Sequence, residues 1–162
     1  MPHIHEKIDF TVTAYIVYKN KVLLRKHDKY GIWMGVGGHI DLDEEPNKAV
    51  IREVKEEVGL DISIISSREN QGKLSITRND FGDTNFKELI PPEYLNIHNI
   101  TPAHRHIDML YFATSDTDKI TPENQTDQWK WLTKEEIENM KNEIPESAYK
   151  YALKALEVVS KN

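Results

Sequence analysis

No cysteine occurs among the 162 residues. That removes disulfides, thiolate nucleophiles and cysteine-based zinc sites together. No apolar run approaches the roughly 18 residues of a membrane span. The opening Met1–Lys7 has no apolar signal region, so a cytoplasmic protein with no membrane partner is expected. A basic excess is also missing. Lys and Arg number 21 against 27 Asp and Glu, a formal net charge of −6. This is the wrong sign for gripping a nucleic-acid polymer. A small phosphorylated ligand stays open, because a bound metal ion inverts the local sign of an acidic site. Repeats and low-complexity tracts are absent too. With 38% hydrophobic residues, one soluble domain over 1–162 is expected.

What is present reads as interleaved strands and helices. Phe10 to Tyr18 is β-branched and aromatic, a strand. Lys19-Asn20-Lys21 is a hairpin turn, and Val22-Leu23-Leu24 continues as a second strand. Gly31 to Gly38 reads as loop with a short strand. Pro46 to Val58 is helical, with Pro46 suited to the first turn and Gly59 to the position just past the end. Leu60 to Ile65 reads as a strand. Ser67 to Pro102 is polar and Gly/Pro-punctuated, read as a hairpin arm around a longer loop. His106 to Thr114 is apolar on both faces in its middle, which places it centrally. Trp129 to Leu132 is a short strand, followed by a capping box at Thr133 and Glu136. Ser147 to Ser160 is a final helix, its stripe formed by Ala148, Tyr151, Ala152, Ala155, Leu156 and Val159. The expected class is α+β, a mixed sheet between helices.

On a wheel of ~100° per residue, the 46–58 helix divides into three sectors. Val50, Ile51, Val54 and Val58 are apolar, while Lys48, Arg52 and Lys55 are basic. Glu53, Glu56 and Glu57 gather beside the apolar face, where a cleft would open. Like charges at i, i+3 and i, i+4 cost ~0.2–0.5 kcal/mol per pair. Glu56 and Glu57 also oppose the dipole of the last turn, at ~0.3–1 kcal/mol each. Two readings remain: a solvated acidic face, or carboxylates held for a hard cation such as Mg²⁺, which takes oxygen ligands. Gly37-Gly38 upstream, where a backbone can approach a ligand closely, points to the second.

The register of Gly38, Glu44, Arg52, Glu53, Val54, Glu56, Glu57, Gly59 and Leu60 resembles, without a gap, the signature of the Nudix (MutT-like) hydrolases. The resemblance implies the Nudix fold, an α/β/α sandwich with a central mixed β-sheet. It also implies hydrolysis of a diphosphate linkage in a nucleoside diphosphate derivative, with Mg²⁺, or Mn²⁺ in its place. By position, Glu53, Glu56, Glu57 and the Gly38 carbonyl correspond to metal ligands. Arg52 and Glu44 correspond to an ion pair orienting the loop against the helix. The base falls to Glu57, to Glu53 or to a later-loop glutamate, for which Glu123 is the candidate and Asp127 a weaker one. Members of the family often pair, so a homodimer is carried as an expectation.

Outside the signature, Trp33, Tyr30, Phe86 and Trp129 are candidates for stacking on a base, Trp33 first. Arg25, Lys26 and His39 are candidates for phosphate. His104, Arg105 and His106 either line the cleft or end a strand. A nucleoside triphosphate, oxidised ones included, is the leading small-molecule substrate. ADP-ribose or a nucleotide sugar is the alternative, and a nucleotide-sensing module without turnover the second. Isopentenyl diphosphate isomerisation is disfavoured, since that chemistry resembles one that uses a cysteine.

Overall fold

Alternation along two long strands sets the layers of the molecule. The computed structural model describes residues 4–68, 75–76 and 86–162, the side chains of Ser75, Ile76 and Phe86 excepted. In chain order the elements are β1 (Ile8–Tyr18), β2 (Lys21–Lys26), β3 (Trp33–Met34), β4 (Val36–His39), α1 (Pro46–Val58), β5 (Ile62–Ile65) and β6 (Ser75–Ile76). There follow β7 (Phe86–Lys87), β8 (Tyr94–Thr101), β9 (His104–Ser115), β10 (Gln128–Thr133), α2 (Lys134–Asn139) and α3 (Glu146–Ser160).

The main sheet runs β10-β2-β1-β9-β5. β1 and β9 are parallel, from Ile8 opposite Arg105 to Val17 opposite Thr114. The other pairs are antiparallel, so the sheet is mixed. Both central strands outlast their neighbours. The first half of β1 pairs β4 and its end pairs β2; the first half of β9 pairs β8 and its end pairs β5.

Successive residues of β1 serve opposite cores. Val12, Ala14 and Ile16 join Leu23, Val36 and Tyr111 under Ala49, Val50, Val54 and Val58 of α1. Tyr15 and Val17 join Leu24, Leu110 and Phe112 under Ala148, Ala152, Ala155 and Val158 of α3. Each fully buried large aliphatic side chain contributes ~1.5–3 kcal/mol. This is the expected α/β/α sandwich.

Local signals act as read. Pro46 opens α1, and Gly59 closes it in the left-handed region at φ 72°, its N–H donating to the Lys55 carbonyl at 3.0 Å. Thr133 and Glu136 form the reciprocal capping box.

Three expectations change. Ile51 is 43% exposed, because the contact of α1 with the sheet is the narrow Val50–Val54–Val58 stripe and Ile51 lies beyond its edge. Trp33 is 2% exposed in the α3-side core. Its ring faces away from α1, so it offers no face for stacking. In the 67–102 stretch, the arm appears as the β6–β7 pair, but β8 forms a further strand beside β9. Residues 69–74 and 77–85 lie outside the described residues. Among the described residues no helix is long and apolar enough to cross a membrane.

Candidate active site

β4 and the second half of α1 bring the signature together. Gly37 and Gly38 pair with Thr13 and Val12, and each excludes a side chain for a different reason. A Cβ on Gly37 would lie 1.9 Å from the Val12 carbonyl oxygen, against backbone that cannot move aside. A Cβ on Gly38 would lie 2.5 Å from the Glu53 carboxylate. That carboxylate thus fills the hollow that a missing side chain leaves. Glu53 is 3% exposed, and burial raises its pKa against the opposing pull of Arg52.

Arg52 organises the loop. Its Nε and Nη2 donate to both oxygens of Glu44 at 2.9 and 2.8 Å, a bidentate fork. Nη2 also donates to the His39 carbonyl at 3.0 Å. Nη1 donates to Glu53 at 2.9 Å and to Glu56 at 3.1 Å. Hydrogen bonding to Arg52 lowers the Glu44 pKa and raises that of Arg52. The expected ion pair is therefore present and wider than expected. One guanidinium holds the loop, the end of β4 and two helix carboxylates.

Glu57 has separate partners. Its Oε1 accepts from Arg25 Nη1 at 2.6 Å, and its Oε2 from the Gly37 N–H at 3.2 Å. Burial pushes its pKa to about 7 despite Arg25. Arg25 Nε in turn donates to Asp127 at 2.5 Å, and Asp127 also accepts from the Asp28 N–H at 2.9 Å. The guanidinium expected to meet phosphate is instead a clamp between two acids, because β2 carries it between α1 and the loop before β10.

That loop is tied to the end of α1. Glu123 N–H donates to the Glu57 carbonyl at 2.9 Å, and Thr121 N–H to that of Val58 at 2.8 Å. Glu123 is placed beside the cluster with its side chain exposed. His39 shows the reverse: its carbonyl faces Arg52, but its imidazole lies on the other side of the sheet beside Asp9 and His106. Alternation along β4 causes this, since Gly38 takes the α1-facing position. His104 and His106 share that opposite face, while Arg105 is exposed.

Trp129 lies against Arg25, with the guanidinium carbon 5.5 Å from its ring centroid. Tyr30 is 51% exposed and packs on His27. The side chain of Phe86 lies outside the described residues. Sequence reasoning missed Phe10, 45% exposed at the rim of a hollow of about 230 Å³. Ile40, Leu42, Glu44 and Met109 help line it beside the start of α1. A larger hollow of about 480 Å³ between β10 and α2 contains none of the signature residues.

The donor set suits a hard cation: three carboxylates and a glycine carbonyl, all oxygen. The side chains are spread at present, Glu53 and Glu56 toward Arg52 and Glu57 toward Arg25. The closest acid and histidine groupings among the described residues lie elsewhere, at Asp9, His39 and His106 and at His27, Asp28 and Asp127.

The NUDIX domain family model matches residues 8–153. A NUDIX-family hydrolase structure from Clostridium perfringens is 35% identical with a TM-score of 0.78, covering 93% of this chain and 97% of that one. Two curated relatives match over shorter segments. The dihydroneopterin triphosphate diphosphatase of Haemophilus influenzae is 47% identical over 53 residues, 32% of this chain and 34% of the relative. The RNA pyrophosphohydrolase of Gluconacetobacter diazotrophicus is 49% identical over 35 residues, 22% of this chain and 21% of the relative. The match thus spans about a third or less of either curated relative. With the family model extending over nearly the whole chain and the signature folded onto β4 and α1, the chain belongs to the NUDIX hydrolase family.

Proposed function

We propose that this chain hydrolyses a diphosphate linkage in a nucleoside triphosphate, with Mg²⁺ as cofactor and Mn²⁺ as a substitute. The observation that carries the reading is the Glu53 carboxylate set in the hollow over Gly38. It sets an acid directly over the strand that carries the signature glycines. Glu53, Glu56, Glu57 and the Gly38 carbonyl would hold the ion. When bound, it neutralises the phosphates and makes a water more acidic.

The chain's own groups do the rest. Arg52 keeps Glu53 and Glu56 on one side of the loop. Glu57 accepts the proton of the attacking water at a carboxylate oxygen. The water oxygen attacks phosphorus in line, and the phosphoanhydride oxygen leaves with the displaced phosphate. Arg25 holds Glu57 in place. Glu123 is the second candidate base, since its backbone is bonded to Glu57. The hollow beside Phe10 offers an apolar surface for the base, a role that falls away from Trp33.

The triphosphate preference is supported by the name of the H. influenzae relative. The match to an RNA pyrophosphohydrolase puts RNA among the substrates to test, although the net charge of −6 weighs against a polymer. Cytoplasm, where nucleotides and Mg²⁺ meet, is the compartment of this reading, and a homodimer its expected assembly. The test is a substrate panel with and without Mg²⁺, products separated as monophosphate plus pyrophosphate or as sugar phosphate plus monophosphate. Metal-dependent pyrophosphate release from triphosphates supports the proposal. Turnover confined to ADP-ribose or nucleotide sugars would replace it with the alternative. Binding without turnover would make the chain a sensor.

A further inference from the structure

A row of imidazoles crosses the sheet on the face opposite α1, where α3 does not reach. Asp9 on β1 sits opposite His106 on β9, and His106 opposite His98 on β8. His39 on β4 is opposite Thr11, one step along the same face. His104 precedes His106 by two residues and so shares its face. Asp9 is fully buried and His104 is 4% exposed. Asp9 Oδ2 lies 3.1 Å from His39 Nε2 and 3.2 Å from His104 Nε2. One ligand atom each from Asp9, His39 and His106 falls within 4.8 Å of the others. The His106 ring centroid is 4.9 Å from that of His39 and 5.4 Å from that of His104.

The surroundings orient these groups. His104 Nδ1 is 3.2 Å from the Glu6 carbonyl oxygen. A carbonyl only accepts, so Nδ1 carries the proton and Nε2 is the nitrogen directed at Asp9. A backbone carbonyl behind one ring nitrogen fixes the tautomer and the orientation of the ring. Asp9 is held in turn by the N–H groups of His5 at 2.6 Å and Ile4 at 3.3 Å.

We propose that Asp9, His39 and His106 form a second metal site that takes Zn²⁺, with His104 holding Asp9 in position beside it. Ligands about 2.1 Å from Zn²⁺ lie about 3.4 Å apart, close to the Asp9–His39 contact already present. Two imidazoles select a borderline cation over Mg²⁺, which wants oxygen. Three protein ligands from three strands, with a water in the fourth position, would complete the tetrahedron. It would join β1, β4 and β9 at the residue next to Gly38, stiffening the strand on which the signature glycines lie. The glutamates face the opposite side of the sheet, so the two sites are separable by mutation.

The experiment strips the 162-residue chain with chelator, then adds Co²⁺ followed by Zn²⁺. The expected result is one Co²⁺ per chain with the intense visible bands of a tetrahedral ion. Zn²⁺ displaces it and excess Mg²⁺ does not. The bands persist in Glu56→Gln/Glu57→Gln and vanish in His106→Ala. With Zn²⁺ a hundredfold above Kd, the Tm rises by about 5–10 °C, and it does not rise in His106→Ala. His39→Gln is the second variant should His106→Ala fail to fold. Absence of tight Co²⁺ or Zn²⁺ binding overturns the proposal, leaving only the contacts of Asp9 with His39 and His104. So does a spectrum lost in the glutamate variant and kept in the histidine variants.

Discussion

Substituting alanine at Gly38 separates the work of the hollow from the work of the fold. The new Cβ would sit 2.5 Å from the Glu53 carboxylate, and ordinary contact begins at 3.4 Å, so Glu53 must retreat by about 0.9 Å. The retreat is not free. Glu53 is buried, and its Oε1 is bonded to Arg52 Nη1, whose other nitrogens hold Glu44. Either that bond breaks or the loop moves with it. Overpacking of this kind costs ~1–3 kcal/mol, which lowers the Tm by roughly 2–12 °C for a chain of this size. A shift of about 1 Å in a positioned group costs about a hundredfold in rate. Gly38→Ala should therefore fold and melt cooperatively, lose about two orders of magnitude in kcat, and need more Mg²⁺ for half-maximal turnover. Gly37→Ala is the control: its Cβ meets backbone at 1.9 Å, so it should fail to fold. The assay is pyrophosphate release against Mg²⁺ concentration, with melting curves on the same samples. A Gly38→Ala enzyme with unchanged kcat and Mg²⁺ dependence would refute the placement of Glu53 in the reaction.

Three further predictions concern Glu57. Burial raises its pKa from 4.5 to about 7, so the folded state holds a proton that the unfolded chain has released. Without metal, the associated stability is full below pH 4.5 and disappears as pH rises through 7, a loss of up to roughly 3 kcal/mol. Urea titrations in chelator at pH 5 and 8 should show this slope in the wild type and not in Glu57→Gln, whose turnover should drop about 10²–10⁴-fold; a near-wild-type rate in that variant removes Glu57 as base. Arg25→Lys cannot clamp Glu57 and Asp127 at once, since lysine lacks the planar fork. Its pH–rate profile should shift its acidic limb upward, and an unmoved limb would show that Arg25 does not set the Glu57 proton affinity.

Legibility followed sequence distance. Pro46, Gly59 and the Thr133–Glu136 box act within a few residues of themselves, so their roles could be read directly. The Gly38–Leu60 register lies in one loop and one helix, and its geometry followed. Partners far apart could not be paired from one sequence. Arg25 and Asp127 are 102 residues apart, and only β2 and β10 pairing side by side brings them together. Trp33 was misjudged because β3 is two residues long, too short for alternation to show which face it serves. β8 went unread because nearly all of Tyr94–Thr101 is exposed, so burial imposed no pattern on it. His39 adjoins the signature, yet the pleat of β4 turns its ring to the other side.

The pairing of β1 with β9 has a consequence for biosynthesis. Ile8 waits for Arg105, and every rung above it spans the same interval. At ribosomal speeds of about 5–20 residues per second, the first long strand emerges some 5–20 s before its partner. Throughout that delay the flank of β1 that will meet β9 has nothing to hydrogen-bond with. Chains that stop short of residue 104 should stick to one another, and a permuted chain that makes the two strands neighbours in sequence should refold faster than the natural order.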